Sequence, residues 1–262
     1  MDTSCKKMYG LDEFDTRTLL ETYFSLHSPY SIVKETTLNM IQLLYKAFTT
    51  GLINGRTLID LSLGPIIAHL LAIKDFVQEI TILEVNEAGL KELEDWKNKN
   101  PDGFDWSHVA KILKEFKGNS DESDDEEENL RKKIVNILKC DFNKDYPAGS
   151  LPLPRADIVT SIWGLDVICR DHEDYRRHLR KLSNLINLGG YLIIYGDVNA
   201  SYFTVGEHKY HVFTCDRSFY PKILSEEGFE IKHFESFGRL MHVKCVDHEE
   251  IVFIIAQKLK EP

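Results

Sequence analysis

Acidic residues close three successive apolar runs, at positions where they could hold a nucleoside. "TLIDLSLGP", residues 57–65, ends an apolar run on an acid and then turns through one glycine, Gly64. Glu84 ends the next run, where its carboxylate could accept hydrogen bonds from both ribose hydroxyls. Asp141 follows the third run in "KCDF", placed for an adenine amino group with Phe142 against the ring. Although each acid alone could cap a helix, their succession predicts a nucleoside-bearing ligand, either present or ancestral.

The elements that would position these acids alternate between two patterns. Apolar, β-branched runs typical of buried strands occur at residues 57–62, 79–85, 133–140, 156–163, 190–196, 229–236 and 249–259. Most of the segments between them have helical spacing, as in "NEAGLKELEDWKNK" and "DHEDYRRHLRKLSNLINLGG". Strands alternating with helices predict an α/β fold, a seven-stranded, mostly parallel sheet with helices on both faces. The last two runs lie close together, which predicts a reversed strand at the sheet edge.

The chain reads as one domain over residues 1–262, with two segments outside the alternating pattern. Residues 14–50 read as one or two helices and could form a lid over a ligand at the sheet edge. Residues 118–133, "GNSDESDDEEENLRKK", read as an acidic surface insertion that buries nothing. A partner-binding or phosphorylation role for this insertion stays open.

Composition excludes several classes of function. The formal net charge is −10 and no stretch collects Lys and Arg into a phosphate-reading face, so we expect neither nucleic acid nor an anionic membrane as partner. The five cysteines are scattered, without C-x-x-C spacing, which is typical of reduced thiols in the cytoplasm. No apolar run is long enough to span a membrane, and the N-terminus lacks a signal-peptide core. His208 and His211 lack an acid or cysteine at ligand spacing, so we expect no metal site.

Colinear motifs over some 240 residues resemble one family. "LIDLSLGP" is similar to its L-I-D-I-G-S-G-P, and "FDWS", "LKCD", "SLPLPRADIVTS", "NLGGYLII" and "YFTVGEHKY" follow in the same order. The family is that of nicotinamide N-methyltransferase, with the indolethylamine, thioether and phenylethanolamine methyltransferases. The resemblance implies a Rossmann-like class I methyltransferase fold and S-adenosylmethionine as cofactor. It also implies a small amine, heteroaromatic or thioether as methyl acceptor. We expect the protein to be a monomer.

The resemblance also assigns a cofactor site, with departures from the family's pattern. The residues it places against the cofactor are Phe24, Ser62, Gly64, Glu84, Asp141, Phe142 and Ile162. Ser62 replaces a family glycine, at a cost of about 1 to 2 kcal/mol if that position needs a left-handed backbone. Leu63 adds bulk beside the methionine moiety, and Gly89 stands where the family has asparagine. Family tyrosines are replaced at Leu19, Phe24 and Ala68, so the site is weakened or lost if nothing compensates.

The acceptor side departs from the family as well. Gly196 aligns with the aspartate that contacts the nicotinamide amide, and Asp197 lies one place on, where a regular strand would turn it away from the pocket. The resemblance therefore predicts an acceptor other than nicotinamide. Asp166, Asp197 and Phe203 are the candidate acceptor-binding residues. Asp166 could equally be a surface or capping carboxylate, and Phe203 could equally be core.

No catalytic residue is assigned, because methyl transfer depends on holding the acceptor in line and excluding water rather than on a general base. Two hypotheses remain open from the sequence. The first is an S-adenosylmethionine-dependent small-molecule methyltransferase with a retuned cofactor site, which Glu84 and Asp141 favour. The second is a catalytically inactive descendant that binds a ligand or serves as a structural protein, which "SLG" and Ala68 favour.

Overall fold

The computed structural model describes residues 6–28, 30, 32–118, 125–149 and 153–261. The strands are β1 Thr57–Asp60, β2 Glu79–Glu84, β3 Ile134–Lys139, β4 Ala156–Ile162, β5 Ile186–Val198, β6 Tyr202–Val205, β7 His208–His211, β8 Phe229–Gly238 and β9 Glu250–Lys258. The α-helices are α1 Thr16–Tyr23, α2 Asn39–Thr49, α3 Ala68–Ile73, α4 Glu87–Lys97, α5 Ser107–Lys117, α6 Glu126–Lys133, α7 Gly164–Ile168, α8 His172–Asn184 and α9 Phe219–Glu226. A π-helix spans Lys34–Leu38 and a 3-10 helix spans Lys74–Phe76.

Seven strands form one sheet in the order β3-β2-β1-β4-β5-β9-β8. The first five are parallel, and β9 runs antiparallel to both β5 and β8. The strand order reverses at β1, between β2 and β4, and ligands of open α/β sheets bind beyond the carboxyl ends of the strands at such a point. The predicted seven-stranded α/β sheet is therefore confirmed, and the predicted acids fall at its ligand-binding edge.

The position of the reversed strand differs from the prediction. β9 lies between β5 and β8, one place in from the edge, and β8 is the edge strand. The side chains of β9 are buried almost throughout, whereas those of β8 after the buried Phe229 are half-buried or exposed. A strand that is apolar on both faces needs a neighbour on each side and helices above and below, so β9 takes the inner place.

Alternate residues of the central strands feed two cores, one on each face of the sheet. Leu58 packs on the face covered by the N-terminal helices, with Leu44 and Trp106. Ile59 packs on the opposite face, with Tyr175 of α8. The N-cap Asp171 begins α8 by accepting the N–H groups of the two residues after His172. The β1 run is therefore apolar on both faces because helices cover both.

A hairpin that the sequence did not reveal stands outside the main sheet. β6 and β7 pair antiparallel, joined by a turn at Gly206 with φ +59°. Lys7 bridges to Tyr210 in parallel, so the segment before α1 adds a short extension to the hairpin. The hairpin thereby holds residues 6–15, which we call the N-terminal segment, over the carboxyl edge of the sheet.

The acidic insertion buries part of its length. Residues 119–124 lie outside the described residues, but α6 follows and packs through Leu130, which is fully buried. Glu126 is also buried, and its carboxylate pairs with the buried Lys74 ammonium and with Lys117. The expectation that residues 118–133 bury nothing is wrong at Glu126 and Leu130, because a complementary lysine sits under the helix.

Within the part of the chain that the structure describes, no helix is long and apolar enough to cross a bilayer. Cys140, Cys169, Cys215 and Cys245 are buried free thiols.

We predict that Glu126→Gln lowers the free energy of unfolding by about 3 kcal/mol, because it leaves a buried lysine short of its carboxylate. Asp75→Asn removes a half-exposed carboxylate from the same lysines and should cost less than about 1 kcal/mol. Urea unfolding of both variants compares the two losses. Equal losses would show that burial of the Glu126 pair does not matter.

Candidate functional site

The first loop is anchored from behind by a buried hydrogen-bond network. Asp60 ends β1 with its Oδ1 2.7 Å from the Ser62 hydroxyl, 2.6 Å from the Thr160 hydroxyl and 2.7 Å from His69 Nε2. Ser62 Oγ also accepts the backbone N–H of Ile162 at 3.2 Å. All of these side chains are buried, so the network fixes the loop after β1 to β4 and α3. The Ser62 hydroxyl therefore helps to hold the loop in place.

The loop makes its turn at Gly64, which has φ +66°. Ser62 has no positive φ, so the expected strain of replacing the family's first glycine is not there. The side chain of Leu63 lines an apolar cavity, which is described below. A Cβ added at Gly64 would lie 2.9 Å from Leu19 of α1. The loop is thus packed tightly against the N-terminal helix.

Glu84, at the end of β2, is fully buried and already hydrogen-bonded. Its Oε1 accepts the Tyr9 hydroxyl at 2.6 Å and the Asn86 N–H at 2.7 Å. Burial raises the pKa of Glu84 to about 7, against the lowering effect of those two bonds. A Cβ added at Gly89 would lie 2.5 Å from Glu84 Oε2, so the glycine in α4 leaves room for the carboxylate in this position.

Tyr9 fills the space between the ends of β1 and β2. Its hydroxyl reaches Glu84 and would lie 3.7 Å from a Cβ added at Gly64. The ring packs edge-on against Phe14 at 4.7 Å, and Phe14 packs in turn on Tyr210 of the hairpin at 4.9 Å. The N-terminal segment thus holds a phenol where the resemblance places a ribose.

The adenine side is open. Asp141 and Phe142 line a second cavity together with Tyr9, Lys139 and Val85, and we call it the Asp141 cavity. An acid, an aromatic ring and open space are what a purine needs, so the residues on this side fit a nucleoside. The side where the resemblance places the ribose is filled by Tyr9. A cofactor bound as the resemblance implies would require the N-terminal segment to move.

An apolar cavity with a volume of about 40 Å³ lies across the first loop. Its apolar wall includes Tyr23, Phe24, Leu63, Trp163, Phe203 and Val212. Four residues with polar side chains also line it: Glu35, Thr36, Asp197 and His248. The surface that these residues present to the cavity is almost wholly apolar, and small-molecule sites are lined predominantly by such groups. We call it the apolar cavity.

Trp163 and Asp197 form one wall of the apolar cavity. Trp163 has φ +54°, a left-handed conformation that is costly for a bulky residue and clusters at functional sites. This turn brings its indole N–H to within 3.0 Å of Asp197 Oδ1. Burial raises the pKa of Asp197, against the lowering effects of His248 and Trp163. Contrary to the expectation for a regular strand, Asp197 lies on the cavity wall.

Asp166 lies behind this wall and does not line the cavity. Its Oδ2 accepts the backbone N–H of Asp197 at 2.9 Å. A Cβ added at Gly196 would lie 2.7 Å from the same oxygen, so Gly196 faces Asp166. Burial, followed by the nearby Asp197 charge, raises the pKa of Asp166 to about 8. The carboxyl group is therefore largely protonated at neutral pH and supports the end of β5.

The structure gathers the predicted residues into three places. Phe24, Asp197 and Phe203 line the apolar cavity, and Asp141 and Phe142 line the Asp141 cavity. Ser62, Gly64, Glu84 and Ile162 lie between the two cavities and line neither. Their assignment to the cofactor remains a prediction.

Sequence reasoning missed Tyr9, Glu35, Thr36 and His248. Tyr9 stands before the first helix, and Glu35 and Thr36 stand in a π-helix whose extra residue per turn no apolar spacing reveals. His248 lies in "VDHEE", just before β9. Its position next to a buried strand is the one signal in the sequence that could have identified it. These residues come together through tertiary contacts alone.

Comparisons with known proteins agree along the whole chain. The family model described as the NNMT/PNMT/TEMT family matches residues 4–259. Nicotinamide N-methyltransferase of Homo sapiens is 33% identical over 252 residues, 96% of each chain. Indolethylamine N-methyltransferase of Mus musculus is 29% identical over 246 residues, covering 94% of this chain and 93% of that one. Magnesium protoporphyrin IX methyltransferase from Synechocystis PCC 6803, solved with bound SAH, has the same fold at a TM-score of 0.55 and 10% identity, covering 92% and 93%.

We predict that Tyr9→Phe lowers the free energy of unfolding by about 1 to 3 kcal/mol, because buried Glu84 loses a donor. The same change should enlarge the rise in Tm that S-adenosylhomocysteine causes, because the N-terminal segment loses its bond to Glu84 and is displaced at a lower cost. Tyr175→Phe is the matched control, since the Tyr175 hydroxyl is buried without a hydrogen-bond partner among the described residues. A smaller ligand-induced shift in Tyr9→Phe would mean that the hydroxyl helps to bind the ligand.

A second prediction concerns the pH dependence of stability. Asp166 titrates near pH 8 when folded and near pH 4 when unfolded, so its contribution is fully present below pH 4 and is lost as the pH rises through 8. Asp166→Asn should flatten the fall in unfolding free energy between pH 5 and 8 by up to about 1.4 kcal/mol per pH unit. Urea unfolding across this range measures the slope. Asp216→Asn, which changes an exposed carboxyl group, should leave the slope unchanged. An unchanged slope in Asp166→Asn as well would contradict the raised pKa of Asp166.

Proposed function

Because the chain belongs to the NNMT/PNMT/TEMT family, it is an S-adenosylmethionine-dependent N-methyltransferase, and we propose that its acceptor is a small amine or heteroaromatic other than nicotinamide. The proposed acceptor site is the apolar cavity. The proposed cofactor site runs from the Asp141 cavity, past Glu84, to the first loop.

One observation carries this proposal: the first loop separates the two cavities. Leu63 of that loop lines the apolar cavity, while Gly64, one residue on, faces the Tyr9 hydroxyl beside Glu84. A donor bound on the Glu84 side and an acceptor bound in the apolar cavity would lie on the two sides of this loop. Transfer needs the methyl carbon and the acceptor nitrogen within about 3 to 3.5 Å of each other, so the Leu63 side chain would have to move aside.

The residues of the apolar cavity suit a neutral nitrogen nucleophile. When bound, S-adenosylmethionine supplies an electrophilic methyl group, so the protein needs to orient the acceptor and exclude water. Leu63, Trp163 and Phe203 provide a dry wall for a flat ring. Asp197, held by the Trp163 indole, can accept a hydrogen bond from the acceptor and so fix its orientation.

The absence of an acid at Gly196 supports an acceptor other than nicotinamide. In the resemblance an aspartate at this position contacts the nicotinamide amide. Here the side of β5 that Gly196 faces is occupied by Asp166 and the Tyr220 hydroxyl, which a Cβ would approach to 2.9 Å. Asp197 lies on the opposite side of the strand and offers its carboxylate from another direction.

The non-catalytic alternative is not favoured, since the relatives that match over nearly the whole chain are named as methyltransferases. We propose the cytoplasm as the location, which the four buried free thiols support. A monomer and a single domain over residues 1–262 remain proposals. So does the lid formed by residues 14–50, which α1 and the π-helix support by lining the apolar cavity.

The test is calorimetric titration with S-adenosylmethionine and S-adenosylhomocysteine up to millimolar concentration, followed by S-adenosylhomocysteine formation with a panel of amines and pyridines. We expect micromolar dissociation constants and turnover of acceptors other than nicotinamide. Asp197→Asn should lower kcat/KM by about 10-fold or more, because a hydrogen bond to a charged group is weakened. Asp216→Asn is the surface control. If the folded protein bound neither ligand at millimolar concentration, the proposal would be contradicted and the non-catalytic hypothesis would be favoured.

A further inference from the structure

A buried ion pair that no prediction included stands at the wall of the apolar cavity. His248 Nε2 lies 2.5 Å from Glu35 Oε1. The other carboxylate oxygen of Glu35 accepts the backbone N–H groups of Leu240 and Met241 at 2.9 and 3.1 Å. Both members of the pair are buried and both line the cavity. Glu35 is therefore fully engaged, and it holds the imidazole in one orientation.

The π-helix is what makes this placement possible. Glu35 and Thr36 both line the cavity although they are adjacent in the chain. The backbone carbonyl of Glu35 accepts the Tyr195 hydroxyl at 3.1 Å, and the Thr36 hydroxyl donates to the Tyr23 carbonyl at 2.6 Å. The widened turn is thus tied to β5 and to α1. Such turns occur frequently at functional sites.

None of the described residues offers a hydrogen-bond partner to the second imidazole nitrogen of His248. Burial alone would lower the pKa of His248, but the Asp197 charge and the bond to Glu35 raise it. The pKa of Glu35 is lowered in spite of burial, chiefly by His248. An imidazolium carries N–H on both nitrogens, and among the described residues Nδ1 is buried with no hydrogen-bond partner. A buried donor left unpaired costs about 1 to 3 kcal/mol, which a ligand atom could recover.

Asp197 restricts what that ligand atom can be. It lines the same cavity, accepts the Trp163 indole N–H, and is close enough to His248 for its charge to be felt there. A carboxylate on the ligand would be repelled by Asp197, whereas a neutral carbonyl oxygen would accept from His248 without that penalty. The remaining lining is apolar and suits a ring.

We propose that His248 determines acceptor specificity by donating a hydrogen bond from Nδ1 to a carbonyl oxygen carried by a small aromatic or heteroaromatic acceptor. Nicotinamide carries such an oxygen, but Gly196 offers its amide nitrogen no acid, so an acceptor with a carbonyl oxygen and no amide N–H fits better. For methyl transfer this inference rests on the proposed function, but the recognition itself needs no cofactor. Glu35 acts as a positioning residue, because it holds Nε2 and so directs Nδ1.

The test compares two probes of similar shape, 3-acetylpyridine and 3-ethylpyridine, which differ in one carbonyl oxygen. Dissociation constants are measured by ligand-observed NMR titration with and without S-adenosylhomocysteine, and kcat/KM with S-adenosylmethionine. The wild type should bind 3-acetylpyridine about 10-fold more tightly, the value of one charge-assisted hydrogen bond. His248→Leu should abolish the preference, and His248→Gln, which keeps an amide donor, should retain part of it.

His233→Leu is the matched control, because His233 lies half-buried on β8 outside the cavity and should leave the preference unchanged. The ratio between the probes is the decisive quantity, since a merely structural role of His248 would weaken both equally. Equal binding of the probes by the wild type, binding of neither at millimolar concentration, or a preference that survives in both His248 variants would each overturn the inference. A binding preference without turnover would support the inference and count against the proposed function.

Discussion

The carboxyl groups buried at one edge of the sheet must each be hydrogen-bonded or protonated, and the arrangement of the site depends on this constraint. An unpaired buried charge costs several kcal/mol. Asp60 is satisfied by two hydroxyls and His69, Glu84 by Tyr9 and a backbone N–H, and Glu35 by His248 and two backbone N–H groups. Asp166 is held with a pKa of about 8. The partners of these carboxyl groups come from different parts of the chain. The loops, the hairpin and the N-terminal segment are therefore linked to one another through the site.

The constraint has a direct consequence for ligand entry. The residue that satisfies Glu84 comes from the N-terminal segment, which is itself held by Phe14 and the hairpin. A ribose that bonded to Glu84 Oε1, as the resemblance implies, would replace the Tyr9 hydroxyl and displace that segment. The net free energy of such an exchange would be small, because one hydrogen bond would replace another. The N-terminal segment would then close the ribose side only in the absence of the ligand.

Much of the fold could be predicted from the sequence, because buried strands and amphipathic helices leave local patterns. The seven strands and the acids at their ends follow from apolar runs such as 57–62 and 79–85. The inner position of β9 could not be read in this way, since it depends on which neighbour covers each face. Nor could the placement of Asp197, because the left-handed Trp163 that reaches its carboxylate is a tertiary outcome. Local pattern therefore predicts the scaffold, and long-range satisfaction of buried groups decides the site.

The departures from the family's pattern fit one another. Gly89, which stands where the family has asparagine, leaves room for Glu84 Oε2. Ser62 stands in place of a glycine, and its hydroxyl donates a hydrogen bond to Asp60. Its backbone is not left-handed, so the replacement causes no strain there. Random loss of function would leave unpaired groups and clashes at such positions, each costing about 1 to 3 kcal/mol. Paired and close-packed replacements instead indicate a site that was reshaped as a unit, which is the physical reason to seek a different acceptor before concluding that the chemistry was lost.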